Sequence, residues 1–423
     1  MGSRDVAHRL LAALLSVSLV ACNVEPTAHD ECHATLAPAP DCPAAALVVM
    51  TDYVSTQIGL TTLGGDTLCS SYFSTARAEA TPVAFALSGD VALPSSRPPS
   101  GRAVVIDRYG TNVVSFLVAE TGAILGQLAV GTGFESNPQD YLEIDTDRAL
   151  VSRWGENPLP GEKPFDRGGD LLVIDTRALV IEGSVELPRD DFPPRPAGMT
   201  RVGDTAVVTL QRASIDIRSM GDGILVGVDL DMLEVDWELS LEGLKNCGPL
   251  ALAPDGAVGA VACTGYIDRD GVAESIGDSG LVVLDLSSEP PTELRRFMAR
   301  DLAGVSLQSE LEFFADRRLL AKTQTALDGT ANNRVLAVDL EAEDAADAAE
   351  ILLEARPSAS GAGQGIVLGG MLCTPGCGGT CLVADADRGV LERFAIDGDS
   401  LVPLGARALT GTVGLPPREV GGL

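Results

Sequence analysis

The sequence predicts an all-β fold, a seven-bladed β-propeller of four-stranded antiparallel blades. Three observations predict it. First, an apolar, β-rich run ending in an acidic residue recurs. The acids are Glu120, Asp175, Asp229, Asp285, Asp339 and Asp397, at intervals of 55, 54, 56, 54 and 58 residues. One more step back lands in the strand-like run around Thr61, which gives seven units. Second, each unit holds four strand-like runs, the pattern of a propeller blade. Third, the chain ends on Gly411–Val420, which reads as the first strand of a unit whose other strands lie near residues 46–63. The C-terminus then completes the N-terminal blade and removes an open sheet edge. A sandwich, or a pair of small β-domains, would not space seven units so evenly.

The first element lies outside the ring. Arg4, His8 and Arg9 precede Leu10–Ala21, a run without charge that is too short to span a bilayer, which takes ~20 helical residues. A basic start, a short apolar core and small residues at the cut describe a secretory signal. The stretch Leu19-Val20-Ala21-Cys22 resembles the lipobox of bacterial lipoproteins. That resemblance implies cleavage before Cys22, diacylglycerol on the Cys22 thiol and acylation, such as palmitate, of the new amine. Several acyl chains hold a protein on a membrane where one is marginal. Asn23 after the cysteine implies sorting to the outer membrane. The expected layout is a signal peptide at 1–21, a Pro/Ala-rich tether at 22–44 and the propeller at 45–423.

Within the ring the fifth unit serves as a model. It reads Pro249–Ala253, the turn Pro254–Gly256, Val258–Cys263, a long loop, Gly280–Leu286 and Glu293–Met298. Alternation, β-branched residues and Gly, Pro and Asp turns all argue for strands. Prolines mark the starts of first strands at Pro138, Pro193–Pro196 and Pro249. The acid ending each third strand recurs in six units, so it reads as a turn-forming residue and not as a catalytic one. The Val173–Thr176 segment and the Pro254–Gly256 hairpin resemble the YVTN-type propellers of bacterial surface proteins. The resemblance implies an architecture more than one activity, and WD-type signatures are absent.

Turns between strands one and two are short (Thr146–Arg148, Val202–Asp204, Pro254–Gly256), as is the third-to-fourth turn at Thr121-Gly122. Connections between strands two and three are long: Trp154–Gly169, Gln211–Gly221, Thr264–Ser279 and Thr323–Asn333. Four insertions at one topological slot decorate one face, and loops on a rigid scaffold are where binding concentrates. Trp154 is a candidate ligand platform, although a loop tryptophan more often packs its own loop down. Asp268, Asp270, Glu274 and Asp278 are candidate binding residues with oxygens suited to calcium, though the stretch lacks the full hand-type loop. Glu156, Lys163, Phe165, Asp166, Asp216, Arg218, Tyr266, Asp328, Asn332 and Asn333 share that face. Trp237, in an alternating run, reads as packing between blades.

The chain has nine cysteines, and setting Cys22 aside leaves eight, an even number that reads as disulfides in an exported protein. Cys247 and Cys263 lie opposite each other in a hairpin folded about Asp255. Cys373 and Cys381 are symmetric about Cys377. Cys377 is then expected to pair with Cys69, and Cys32 with Cys42. Zinc at 373/377/381 would need other spacing and a nearby histidine.

The three histidines are His8, His29 and His33, so the expected propeller has none. This excludes Ser-His-Asp hydrolysis, histidine acid–base work and histidine-ligated metals there. His29 and His33 flank Cys32 in the tether, where a disordered segment is the simpler account than a metal site. No carboxylate pair stands out as a glycosidase constellation. With 30 basic and 60 acidic residues the chain carries −30, and about −31 once the signal is gone. Such a charge argues against nucleic acid and anionic membrane surfaces as partners, and suits cations or basic partners. The sequence therefore points to a monomeric, membrane-anchored binding or scaffold protein. It needs no cofactor unless calcium, and its partner is an envelope protein or a glycan. The alternative is a carboxylate- or metal-dependent propeller enzyme, lactonase-like or glycan-cleaving.

Overall fold

The computed structural model describes residues 32, 34–36, 42–75, 85–266, 276–324, 333–355, 367–409 and 414–423. Cys22, Asp268, Asp270, Glu274, Asp328 and Asn332 lie outside the described residues. The chain is a seven-bladed propeller of antiparallel sheets. Blade 1 combines Ala46–Thr51, Thr56–Thr61 and Thr67–Ser74 with the C-terminal strand Pro417–Gly422. Blades 2 to 7 follow along the chain, their inner strands being Val91–Ala92, Pro138–Glu143, Pro196–Val202, Ala251–Leu252, Leu307–Ala315 and Leu368–Cys373. In blade 7 the outer edge is shared by two short strands, Ser400–Pro403 and Arg407–Ala408, both paired with Val390–Asp397.

The ring closes as the sequence predicts. Val48 faces Val420, and Ala46 faces Gly422, across the pairing of Ala46–Thr51 with Pro417–Gly422. Seven apolar clusters form the seams, one between each pair of neighbouring blades. Alternate residues of one strand feed two seams, because successive side chains point to opposite faces. Leu47 and Val49 pack toward blade 2, while Ala46, Val48 and Met50 pack toward blade 7. The second strands of blades 1, 4 and 5 are buried along their whole length for this reason, which is why they read as apolar runs. Trp237 belongs to the seam between blades 4 and 5, and Gly227 makes its room: a Cβ there would sit 2.1 Å from the indole.

The acids at third-strand ends shape turns. Asp175 accepts the amides of Arg177 and Ala178, Asp229 those of Asp231 and Met232, and Asp285 that of Ser287. The two amides hold the Asp175 carboxyl below its usual range, and the Ser287 hydroxyl, then its amide, do the same for Asp285.

Cys247–Cys263 and Cys373–Cys381 are disulfides within single blades. The other two expected pairs are not formed: Cys42 is bonded to Cys377, 335 residues away. Proximity in sequence misleads here. Cys32 and Cys69 are both buried in the seam between blades 1 and 2, beside Tyr72, whereas Cys42 lies near the axis by the first-to-second turn of blade 7. Ala34 also donates to the Glu120 carbonyl and Ala44 to the Leu423 carbonyl. Described residues between 32 and 45 thus lie on the end of the ring that carries the short turns.

Candidate functional site

The long connections sit at the opposite end, where second strands finish. Their described residues are mostly engaged in holding the loops. Trp154 lies under the Arg195 guanidinium, 4.0 Å from ring centre, and its indole N–H donates to Gln211 Oε1 at 2.8 Å. Trp154 stands within the second strand of blade 3, Arg148–Glu156, and not in the expected loop, and these contacts tie that strand to blade 4. Asp166 accepts the amides of Gly161, Glu162 and Lys163, and these bonds depress its carboxyl. Glu156 pairs with Arg189 at 2.8 Å, and Asp216 accepts from Ser214 and Arg218. Tyr266 donates to the Arg218 carbonyl, and Asn333 bridges Thr323 to Val367. Asp278 pairs with Lys245 at 3.2 Å. Among the described residues, no three or more His, Cys, Asp or Glu are grouped to hold a metal ion.

A cavity of about 750 Å³ occupies the axis, lined by the inner strands of all seven blades. At the loop end it is bordered by Tyr53, Arg108, Gln139, Gln211 and Gln308; at the turn end by Pro43, Pro254 and Pro375. Each inner strand is the edge of its sheet, so its amides need acceptors from elsewhere. Carboxylates of neighbouring inner strands supply several. Asp140 accepts the Met199 amide, Glu310 the Met371 amide at 2.8 Å, and Glu312 the Cys373 amide at 3.2 Å.

The charged wall of the cavity runs through blades 6, 7, 1 and 2. Glu310 and Glu312 alternate with Leu311 and Phe313 on one inner strand, so both carboxylates face the axis while the apolar pair enters the seam. Lys322, only 2% exposed, bonds to Glu310 and to the Gly369 carbonyl. Gly369 and Gly370 let the blade 7 and blade 1 inner strands approach: a Cβ would fall 2.4 Å from the Arg418 carbonyl oxygen at the first and 2.5 Å from the Val420 nitrogen at the second. Glu419 stands on that blade 1 strand. Arg108 pairs with Asp90, and Arg418 lies over the Tyr53 ring, 5.4 Å from its centre.

Two of these carboxyls, Glu312 and Glu419, are shifted. Burial, then the neighbouring Glu310 charge, push Glu312 up to about 8, against opposition from the Cys373 amide and Lys322. Burial and Glu310 push Glu419 up to about 7, while Arg108 and Lys322 oppose the shift and Asp90 adds to it. Burial is the larger cause, and Lys322 and Arg108 offset the Glu310 charge only in part. Across the axis, blades 4 and 5 present Ala197, Thr200, Leu250 and Leu252, a neutral wall. The site therefore pairs a charged side, with three glutamates among four cations, with an uncharged one. None of Glu310, Glu312, Lys322 or Glu419 was singled out from the sequence. The readable signal was a lone lysine inside the apolar run Leu319–Thr323, in a chain with only three lysines.

No family model and no curated protein matches the chain. Solved structures similar to it share the fold. A protein from Lactobacillus plantarum aligns with TM-score 0.53 and 12% identity over 90% of this chain and 99% of that one. A candidate 6-phosphogluconolactonase of Bacteroides uniformis ATCC 8492 gives 0.52 and 11% over 90% and 100%. Kuenenia stuttgartiensis hydrazine synthase gives 0.52 and 14% over 75% and 80%. At these identities the likeness is one of propeller architecture alone.

Proposed function

We propose that this chain is an exported lipoprotein, held at the outer membrane through lipid on Cys22, that binds a small polar ligand in its axial cavity. The observation that carries the binding reading is the cavity itself. Its volume falls in the ~300–1,000 Å³ range of ligand sites, and it is lined on one side by charged groups, two of whose carboxyls, Glu312 and Glu419, are raised by burial. In this reading the long loops frame the entrance, the protein acts as a monomer of the YVTN-type propeller group, and no nucleic acid is bound. The N-terminal signal and lipobox support the anchor.

Native mass spectrometry of the protein incubated with envelope extract tests the reading. A bound small molecule is expected with the wild-type chain and lost in Ala197→Trp, which fills the neutral wall. No adduct, or one that survives the substitution, refutes cavity binding. Incorporation of a labelled fatty acid, abolished by Cys22→Ser, tests the anchor.

One observation favours the enzymatic alternative: Glu312 and Glu419 titrate near neutrality, as general acids do. The same wall also satisfies structural amides, which is why we place binding first. The similarity to a candidate 6-phosphogluconolactonase adds fold and not activity. Turnover of a lactone or glycan, lost in Glu312→Gln with binding retained, would reverse this order.

A further inference from the structure

We infer that the axial cavity accepts a small organic cation with a primary ammonium group, seated against Glu419 and Glu312, its neutral body against blades 4 and 5. The inference rests on the reading of the cavity as the ligand site and goes on to its chemistry.

Oxygen by oxygen, the acidic wall is short of donors. Glu310 Oε1 takes the Met371 amide and Oε2 takes Lys322. Glu312 Oε2 takes the Cys373 amide. Glu312 Oε1 and both Glu419 oxygens have no hydrogen-bond donor among the described residues. An ammonium brings three N–H donors and one positive charge, the two things this wall lacks. Three glutamates share Lys322, so one added cation relieves the repulsion that Glu310 exerts on the other two.

The charges that face the site from other elements do not supply this. Arg108 is committed to Asp90 at the end of the second strand of blade 2. Arg418 is turned to Tyr53. Arg97 also lines the cavity and donates to the Cys42 carbonyl at the turn end, so an anion finds the cationic groups of the lining engaged elsewhere. The described carboxylates are not grouped for a metal ion either, so a compact divalent cation fits worse than an ammonium on a longer body. The neutral wall of Ala197, Thr200, Leu250 and Leu252 suits the uncharged part of such a molecule. A chain of net charge −30 also concentrates cations around itself, which favours their entry.

Calorimetry with the purified full-length protein tests the inference, using butylamine, its neutral analogue 1-butanol and inorganic phosphate. Saturable one-to-one binding is expected with butylamine alone. Glu419→Gln and Glu312→Gln should each weaken it at least ten-fold, and Ala197→Trp should abolish it. Both glutamine variants keep shape and remove an ionisable carboxyl from a crowded site, so their melting temperatures verify that the fold survives. Butylamine binding unchanged in both variants overturns the inference, because it then condenses on the acidic surface. Equal binding of the alcohol, or binding of phosphate in its place, also overturns it. If either of those is lost in Ala197→Trp, the cavity remains the ligand site and only the cationic chemistry fails.

Discussion

Asp170→Asn isolates the buried ion pair that anchors the third blade. Arg153 is 0% and Asp170 1% exposed, and they meet through two bonds of 2.7 Å. Arg153 also donates to the Val130 and Phe165 carbonyls and to Thr132 Oγ1, so it ties the 157–167 loop and the blade 2 edge to the blade 3 sheet. The substitution leaves a guanidinium in the interior with its hydrogen-bond geometry nearly intact and its counter-charge gone. Stranding one charge of a buried pair costs about 3–5 kcal/mol. With unfolding entropy of about 2 cal/mol/K per residue, a chain of this length loses about 4–6 °C in Tm. Differential scanning calorimetry measures the shift, and hydrogen exchange should rise in 157–167 before it rises in blades 5 to 7. The double variant Arg153→Met/Asp170→Leu removes both charges and should recover most of the loss. A Tm drop below 1 °C for Asp170→Asn, or a double variant worse than the single, would refute the reasoning.

Three other outcomes follow from the same structure. Peptide mapping without reduction should give a cross-linked Cys42–Cys377 fragment; a Cys69–Cys377 fragment would contradict the placement of residues 42–45 at the turn end. Removing residues 411–423 leaves the Ala46–Thr51 edge unpaired and uncovers Val48 and Met50, so the truncated protein should self-associate on gel filtration; a monomer with unchanged Tm would show that the C-terminal strand does not close the ring. Glu312 binds its proton more tightly folded than unfolded, so the stability it contributes is complete below about 4.5 and is lost as pH rises to about 8, with Glu419 acting likewise to about 7. Tm should therefore fall between pH 5 and pH 8.5, and Glu312→Gln, which still accepts the Cys373 amide, should flatten that fall; an unaltered slope contradicts the burial of this carboxyl.

Much of the fold is legible because it is periodic. A third-strand aspartate that closes a turn repeats in blades 3 to 6, and a second strand packed on both faces repeats as an apolar run. Hairpin geometry likewise makes Cys247–Cys263 readable from sixteen residues of separation. The site is legible only in part, since it is assembled from residues hundreds of positions apart. Glu310, Lys322 and Glu419 meet only because the ring closes, and Gly369-Gly370 matters only where two inner strands approach. Cys42–Cys377 escapes for the same reason. Trp154 looked like a platform by rarity, yet its indole is spent on Arg195 and Gln211. A rare aromatic residue carries less information than a rare charge inside an apolar strand.

The claim most exposed to test is that the acidic wall of the axial cavity is completed by a positive charge. At neutral pH Glu312 holds its proton and Glu419 is near its midpoint, with Glu310, Asp90, Arg108 and Lys322 setting both. A bound ammonium favours the ionised forms and expels protons. Titrating butylamine at pH 7 in buffers of different ionisation enthalpy counts those protons directly. Net release on binding is expected, diminished in Glu419→Gln. Binding with no proton exchange, or with uptake, would contradict it.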